Sequence, residues 1–264
     1  MTDALIGHSG FVGSALLRQR NFDSLYRSSN IHSIRGRSFD QVMCAGAPAQ
    51  KWIANRDPKA DRQNIERLIA CLGTISCDMF VLASTVDVFS SPIGVDEDSP
   101  ADDSQLHAYG THRRLLERFV QDNFPNHLIV RLAGLVGPGL RKNVIFDFLN
   151  DNNLQSIDSR GVFQFYPMVN LWFDIRSALG DGLKLLHLTA EPLSVADMAL
   201  HGFGRSFKQH LDKPPAVYDM RTKHAGVFGG RGNYQYNKRE TLQAVRAYAQ
   251  SEPVTRPPDA PSPS

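Results

Sequence analysis

The sequence predicts an α/β fold: a doubly wound parallel sheet followed by a smaller C-terminal lobe. Three features point there. Short apolar runs of strand length alternate with amphipathic helical stretches, the pattern of a parallel sheet covered on both faces. A glycine-rich turn joins the first run to the first helix. After about Gly139 the alternation loosens, as in a lobe that is not built from βα units.

In chain order, Ala4 to Ile6 is an apolar run that stops at Gly7. Phe11 to Arg20 has helical spacing, with Val12, Leu16 and Leu17 on one side. Leu25 and Tyr26 read as a short strand, and so do Val42 to Cys44. The stretch between Leu25 and Val42 is compressed, so a strand–helix unit is reduced there. Pro58 to Leu72 reads as a helix: proline suits its first turn, and Ile65, Leu68, Ile69 and Leu72 form a stripe. Met79 to Ala83 is a fully apolar strand. His107 to Asp122 is a helix with Leu115, Leu116, Phe119 and Val120 inward, and Leu128 to Val130 is a strand. Further on, Val144 to Leu149 reads as helix, Val162 to Tyr166 as extended chain and Asn170 to Leu179 as helix. Leu185 to Leu188 is a strand, and Asp197 to Phe203 and Arg239 to Ala249 are helices. The expected division is a sheet domain over 1–150, a lobe over 151–251 and a tail over 252–264. The tail's five prolines and near lack of apolar residues predict disorder.

Composition narrows the function. With 264 residues and 42% hydrophobic side chains the chain can bury a sizeable core. Lys+Arg 29 against Asp+Glu 27 disfavours a dedicated nucleic-acid binder, and the run His112-Arg113-Arg114 is too short to argue for one. No apolar run reaches the roughly 20 residues of a bilayer span, and no secretory signal is visible. Cys44, Cys71 and Cys77 are odd in number and match no zinc spacing, so no metal is expected and a reducing cytoplasm fits best. Cys44 reads as a core residue, and Cys71 and Cys77 as a helix end and the turn after it.

The most informative segment is ALIGHSGFVGSALL. Gly7, Gly10 and Gly13 stand at G-x-x-G-x-x-G spacing between a strand and a helix. Glycine permits the tight turn, and the free N–H groups of the following helix favour a pyrophosphate, as in a Rossmann-type dinucleotide site. Ser9, Phe11 and Val12 belong to the same cradle, with His8 as a bystander. After the second strand an acidic residue is missing. Arg27 and Ser28 stand there instead and suit a 2′-phosphate, so NADP(H) is expected, with NAD the alternative.

With these pieces in order, the sequence resembles the extended short-chain dehydrogenases/reductases, the NAD(P)-dependent sugar-nucleotide epimerases, dehydratases and reductases. GHSGFVG resembles the opening loop, and CAGAPA places Ala45, Gly46 and Ala47 against the cofactor. Asn64 resembles an asparagine of the central helix. FVLASTVDVF supplies Ser84 on the cofactor side and Thr85, and AYGTHRR supplies Tyr109 of a Y-x-x-x-K motif. RLAGLVGPGLRKNVI resembles the segment that carries a substrate-side asparagine, here Asn143. The resemblance implies Tyr109 as general acid/base and Thr85 as hydrogen-bond partner of the reacting oxygen, on a nucleotide-linked sugar. It also allows a homodimer through the Tyr109 helix.

A free phenol, with pKa about 10, is a poor base near neutrality and needs a nearby cation. The family supplies a lysine four residues on. Here that position is Arg113, which keeps the charge but not the shape of an ammonium. Three readings follow: a rearranged working site, a slow enzyme, or an idle dinucleotide-binding sensor or scaffold. The dehydratases' Asp-Glu pair after the threonine is absent, since Val86 follows Thr85; Asp87 remains as an auxiliary acid or a loop carboxylate. Arg141, Lys142, Asn143, Gln164 and Tyr166 are the further substrate candidates.

Overall fold

The computed structural model describes residues 2–101 and 103–255. Six parallel strands form the central sheet: β1 (Asp3–Ile6), β2 (Ser24–Tyr26), β3 (Ser38–Cys44), β4 (Ser76–Thr85), β5 (His127–Leu132) and β6 (Leu185–Leu188). Their order is β6-β5-β4-β3-β1-β2. The winding reverses between β1 and β3, and open α/β sheets bind ligands in the crevice at such a switch point. Between β2 and β3 the chain makes only a 3₁₀ turn, Ile31–Ile34, in keeping with the compression read from the sequence.

Helices cover both faces, which makes the sheet doubly wound. α1 (Phe11–Gln19) is followed by α2 (Lys51–Arg56), α3 (Pro58–Leu72), α4 (Ala108–Asn123), α5 (Val144–Asn150), α6 (Leu171–Gly180), α7 (Val195–Phe203) and α8 (Lys238–Ser251). Ala15 and Leu16 of α1 and Ile175 and Ala178 of α6 pack with Leu5, Val81 and Val130 on one face. Ile65, Leu68 and Leu72 of α3 and Leu116 and Val120 of α4 pack with Ile6, Leu82 and Ile129 on the other. Burying each of the leucines, isoleucines and valines stabilises the fold by about 1.5–3 kcal/mol. α3 starts where the sequence placed it: Pro58 opens the first turn, and the Asp57 carboxylate accepts the Ala60 N–H at 3.0 Å.

The strands β3 and β4 run longer than their apolar cores, because polar residues at their starts still pair, Ser38 with Ser76 and Gln41 with Met79. Cys77 therefore lies in β4, not in a turn. The short polar α2 was not anticipated. The extended stretch at 162–166 is two strands, Val162–Phe163 and Phe165–Pro167, broken at Gln164. The lobe core joins α5, α7 and α8 through Phe148, Met198, Ala199 and Val245. The sheet draws on both sides of the expected boundary at residue 150, since β6 and α6 complete it. Of the expected tail, residues 252–255 are described: the Glu252 carboxylate accepts the Gly139 N–H at 2.9 Å, and Thr255 N–H donates to Asn150 at 2.7 Å. Residues 256–264 lie outside the described residues.

Candidate active site

The glycine turn sits at the switch point. Gly7 has φ +83°, and a Cβ there would overlap the Ala45 carbonyl oxygen, so the exits of β1 and β3 touch through backbone. Its N–H donates to the Tyr26 carbonyl at 2.8 Å. Gly10 caps α1 without a side-chain hydrogen bond, and the first turn carries no acid. The opening N–H groups of α1 have no intrahelical acceptor, so this uncapped turn is a positive, open anion cradle. Ser9 and Gly10 are exposed and Gly13 is buried behind them. Phe11 packs between the sheet and lobe cores. Val12, Ala45, Ala83 and Leu132 line a small apolar recess at the strand ends. Gly46 backs onto Ile6, and Ala47 packs on the α3 face. Arg27 and Ser28 follow β2 in solvent, with Arg27 Nε donating to Ser29 Oγ at 2.9 Å.

The second cluster gathers where β4 ends. Thr85 is the last residue of β4, and Tyr109 lies in the first turn of α4. Gly110 lets them meet: a Cβ there would overlap the Asp87 carbonyl oxygen, so only glycine allows α4 to seat this deeply. The Tyr109 N–H donates to Asn55 Oδ1 of α2 at 3.0 Å, and the phenol lies beside Thr85. Asp87 Oδ1 pairs with Lys51 Nζ at 2.6 Å and lies 3.8 Å from His107 Nε2. His107 caps α4, its Nδ1 accepting the Gly110 N–H at 3.1 Å. Lys142 donates to the Ala49 carbonyl beside the same cleft.

Arg113 is 3% exposed, and its guanidinium lies 4.0 Å from the Tyr109 ring centroid. Two of its nitrogens are taken, by Asp61 and by the Pro48 carbonyl; Asp61 also holds His112 Nδ1 at 2.7 Å. Its Nε is buried with no acceptor. Burial raises the Tyr109 phenol above its ordinary range; Arg113 opposes this most, Asp87 adds to it, and Thr85 and Lys51 oppose it. Burial would also raise Asp87, but the neighbouring His107 imidazole and the Lys51 ammonium outweigh it and hold the carboxyl below its ordinary value. For Lys51, Asp87 outweighs burial and the ammonium is stabilised. Burial lowers Lys142.

Several expected contacts fall elsewhere. Ser84 faces away from Thr85, as strand alternation requires, and donates to the buried Glu117 at 2.5 Å, which Arg131 also holds at 2.9 Å. Its hydroxyl is therefore committed to the protein interior rather than free for a ligand. Gln164 is 1% exposed, and its amide is spent on Thr189, Ala190 and Met220. Tyr166 is fully buried against Asp174 at 2.5 Å. Both polar groups are therefore committed inside the protein, Tyr166 in the sheet core beside α6. Asn143, at φ +100°, caps α5 by accepting the Ile145 N–H at 2.9 Å and donating to the Leu135 carbonyl at 2.8 Å, so its amide is also committed. Arg141 is exposed. Asn64 accepts from Arg67 on its own helix. Conversely, Lys51, Asn55 and His107 join the cluster unannounced, and Tyr218 of the lobe lies near Lys51. Only the N-cap position of His107, just ahead of Tyr109, carried a local signal. Among the described residues no group of three or more His, Cys, Asp or Glu could hold a metal, and no helix is long and apolar enough to cross a membrane.

No family model matches the sequence, and no curated protein matches it. Solved structures match along nearly its whole length. A dTDP-4-dehydrorhamnose reductase ortholog from Clostridium acetobutylicum is 16% identical with a TM-score of 0.73, over 94% of this chain and 98% of that one. The UDP-glucose 4-epimerase of Thermotoga maritima, solved with UDP-glucose, is 14% identical with a TM-score of 0.68, over 95% and 98%. The fold is that of the extended short-chain dehydrogenases/reductases. RMD of Pseudomonas aeruginosa, complexed with NADPH, shares this dehydrogenase fold at 16% identity and a TM-score of 0.69, over 95% and 99%. Other neighbours were solved with NAD.

Proposed function

We propose that the protein is an NADP(H)-linked oxidoreductase or epimerase acting on a nucleotide-linked sugar, with Tyr109 as general acid/base. The observation that carries this reading is the Arg113 guanidinium packed 4.0 Å from the centre of the buried Tyr109 ring, with Thr85 beside the phenol at the end of β4. The residues fit a dinucleotide. The uncapped first turn of α1 would hold its phosphates through the N–H groups of Phe11, Val12 and Gly13. The orphaned Arg113 Nε lacks an acceptor of the kind a ribose hydroxyl provides. Arg27 and Ser28, exposed after β2, would meet a 2′-phosphate.

When bound, the coenzyme supplies a nicotinamide that takes or returns hydride. The chain's own part is proton work. Tyr109 Oη would accept the substrate hydroxyl proton in oxidation and return it in reduction. Thr85 Oγ1 would orient the same oxygen, and Arg113 favours the phenolate by its charge. Asp87 and Lys142, with Arg141 nearer solvent, remain as substrate-side groups. The buried Val86 offers no acid beside Thr85, which disfavours elimination of water by a threonine–Asp-Glu site.

A second reading, an idle dinucleotide-binding module, is favoured by the lock of Arg113 on Asp61 and Pro48. Calorimetry with NADPH, NADP, NADH and NAD tests binding: an NADP(H) preference that Arg27→Ala removes is expected, and no heat from any of the four overturns both readings. Incubating the protein and its Tyr109→Phe variant with coenzyme and a panel of UDP- and dTDP-sugars then separates them. Tyr109-dependent change in the nicotinamide absorbance or in the sugar supports the enzyme; intact binding with no such change supports the module.

A further inference from the structure

Charged and titratable groups reach the Tyr109 phenol from every side. Its own helix contributes Arg113, with His112 beside Asp61 of α3. The helix cap contributes His107, whose ring centroid is 6.2 Å from that of Tyr109. The β4 end contributes Thr85 and Asp87, α2 contributes Lys51, and the segment before α5 contributes Lys142, close to Asp87 and Arg113. Tyr218 arrives from the lobe near Lys51. The fixed charges cancel in pairs. Arg113 is matched by Asp61, both nearly fully buried. Asp87 is matched by Lys51.

That second pair has a structural origin. Lys51 and Asn55 stand four residues apart, on one face of α2. Asn55 receives the Tyr109 backbone N–H, while Lys51 reaches the carboxylate beside the Tyr109 side chain. One turn of helix thus holds both the backbone of Tyr109 and the carboxylate of Asp87. Without Lys51, the Asp87 carboxylate would stand next to the phenol with no fixed cation bonded to it, and ionising Tyr109 would place two anions together in a site where the phenol is 8% exposed. Like charges at close range oppose ionisation.

We propose that Lys51 is a positioning residue for the Tyr109 phenol: its ammonium neutralises Asp87, a task that Arg113, committed to Asp61, does not perform. The inference rests on the reading of Tyr109 as acid/base. Its mechanism differs from that of the motif's lysine, because Lys51 acts through a carboxylate rather than on the phenol alone, and it comes from another helix.

The test is an alkaline titration of tyrosinate absorbance on the full chain, with the Tyr109→Phe curve subtracted to isolate one phenol. Lys51→Met is expected to move the Tyr109 midpoint up by about one pH unit or more, the size usual for a close charge. Lys51→Arg keeps the charge and should restore the wild-type midpoint. Asp87→Asn added to Lys51→Met should bring the midpoint back down, which a merely structural role for Lys51 does not predict. Lys51→Gln is the second neutral variant should Lys51→Met fold poorly. An unmoved midpoint in both neutral variants overturns the proposal, as does a raised midpoint that Asp87→Asn leaves in place. The reading of Tyr109 fails separately: a wild-type phenol that does not ionise before alkaline unfolding, or turnover that survives Tyr109→Phe, overturns that reading.

Discussion

At the glycine end of the cleft the groups offered to a ligand are backbone N–H donors, while at the tyrosine end they are side chains whose charges are already matched within the protein. The glycine end needs no charged residue, because the uncapped first turn of α1 is positive by geometry. The tyrosine end needs Lys51–Asp87 and Arg113–Asp61 in place before the phenol has a defined environment. The first kind of site tolerates change in side chains and no change in backbone path. The second is held by tertiary pairs, so one lost partner leaves a buried charge exposed to no compensation.

The contrast can be broken by substitution. The largest loss is expected from Arg113→Met, which strands Asp61 in the interior: about 3–5 kcal/mol, read from urea unfolding. A cost near zero would mean that Asp61 is served by His112 alone. At the glycine end, Gly7→Ala should cost about 3 kcal/mol, since the residue carries positive φ and has no room for a methyl. The same variant should bind no dinucleotide by calorimetry; wild-type binding would remove the backbone account of that end. Gly110→Ala should cost about 2 kcal/mol by lifting α4 off Asp87, and it should shift the Tyr109 titration, which a purely global destabilisation leaves alone.

The smallest effect is a pH dependence. Asp87 has a folded value below its ordinary 3.8, so it adds stability that is complete above that value and disappears as the pH falls through the folded one. The Tm gap between wild type and Asp87→Asn should therefore be widest near neutrality and close in acid. A gap that is flat with pH would mean that the carboxylate's charge is not what the Lys51 pair uses.

The same division decides what can be read from the chain. Gly7, Gly10 and Gly13 are legible because their work is local, a turn and a helix start within seven residues. Tyr109 is legible only through the resemblance of AYGTHRR to the Y-x-x-x-K motif, with FVLASTVDVF ahead of it. Lys51 is invisible because its partner, Asp87, comes from the turn after β4, and α2 is too short and polar to register as a helix. Gln164 and Tyr166 mislead for the opposite reason: polar atoms in a loosely patterned segment resemble a substrate wall, yet both are buried and hydrogen-bonded within the protein. Period-two alternation alone separates Ser84 from Thr85, and the family likeness had grouped them.

The sheet's last strand comes from far along the chain. Cutting after residue 150 would leave β5 with a bare row of amide and carbonyl groups and take α6 off the face it shields. Neither half then holds a finished core, so heat should melt the molecule in one step, and a truncated N-terminal piece should precipitate rather than stand in for the whole.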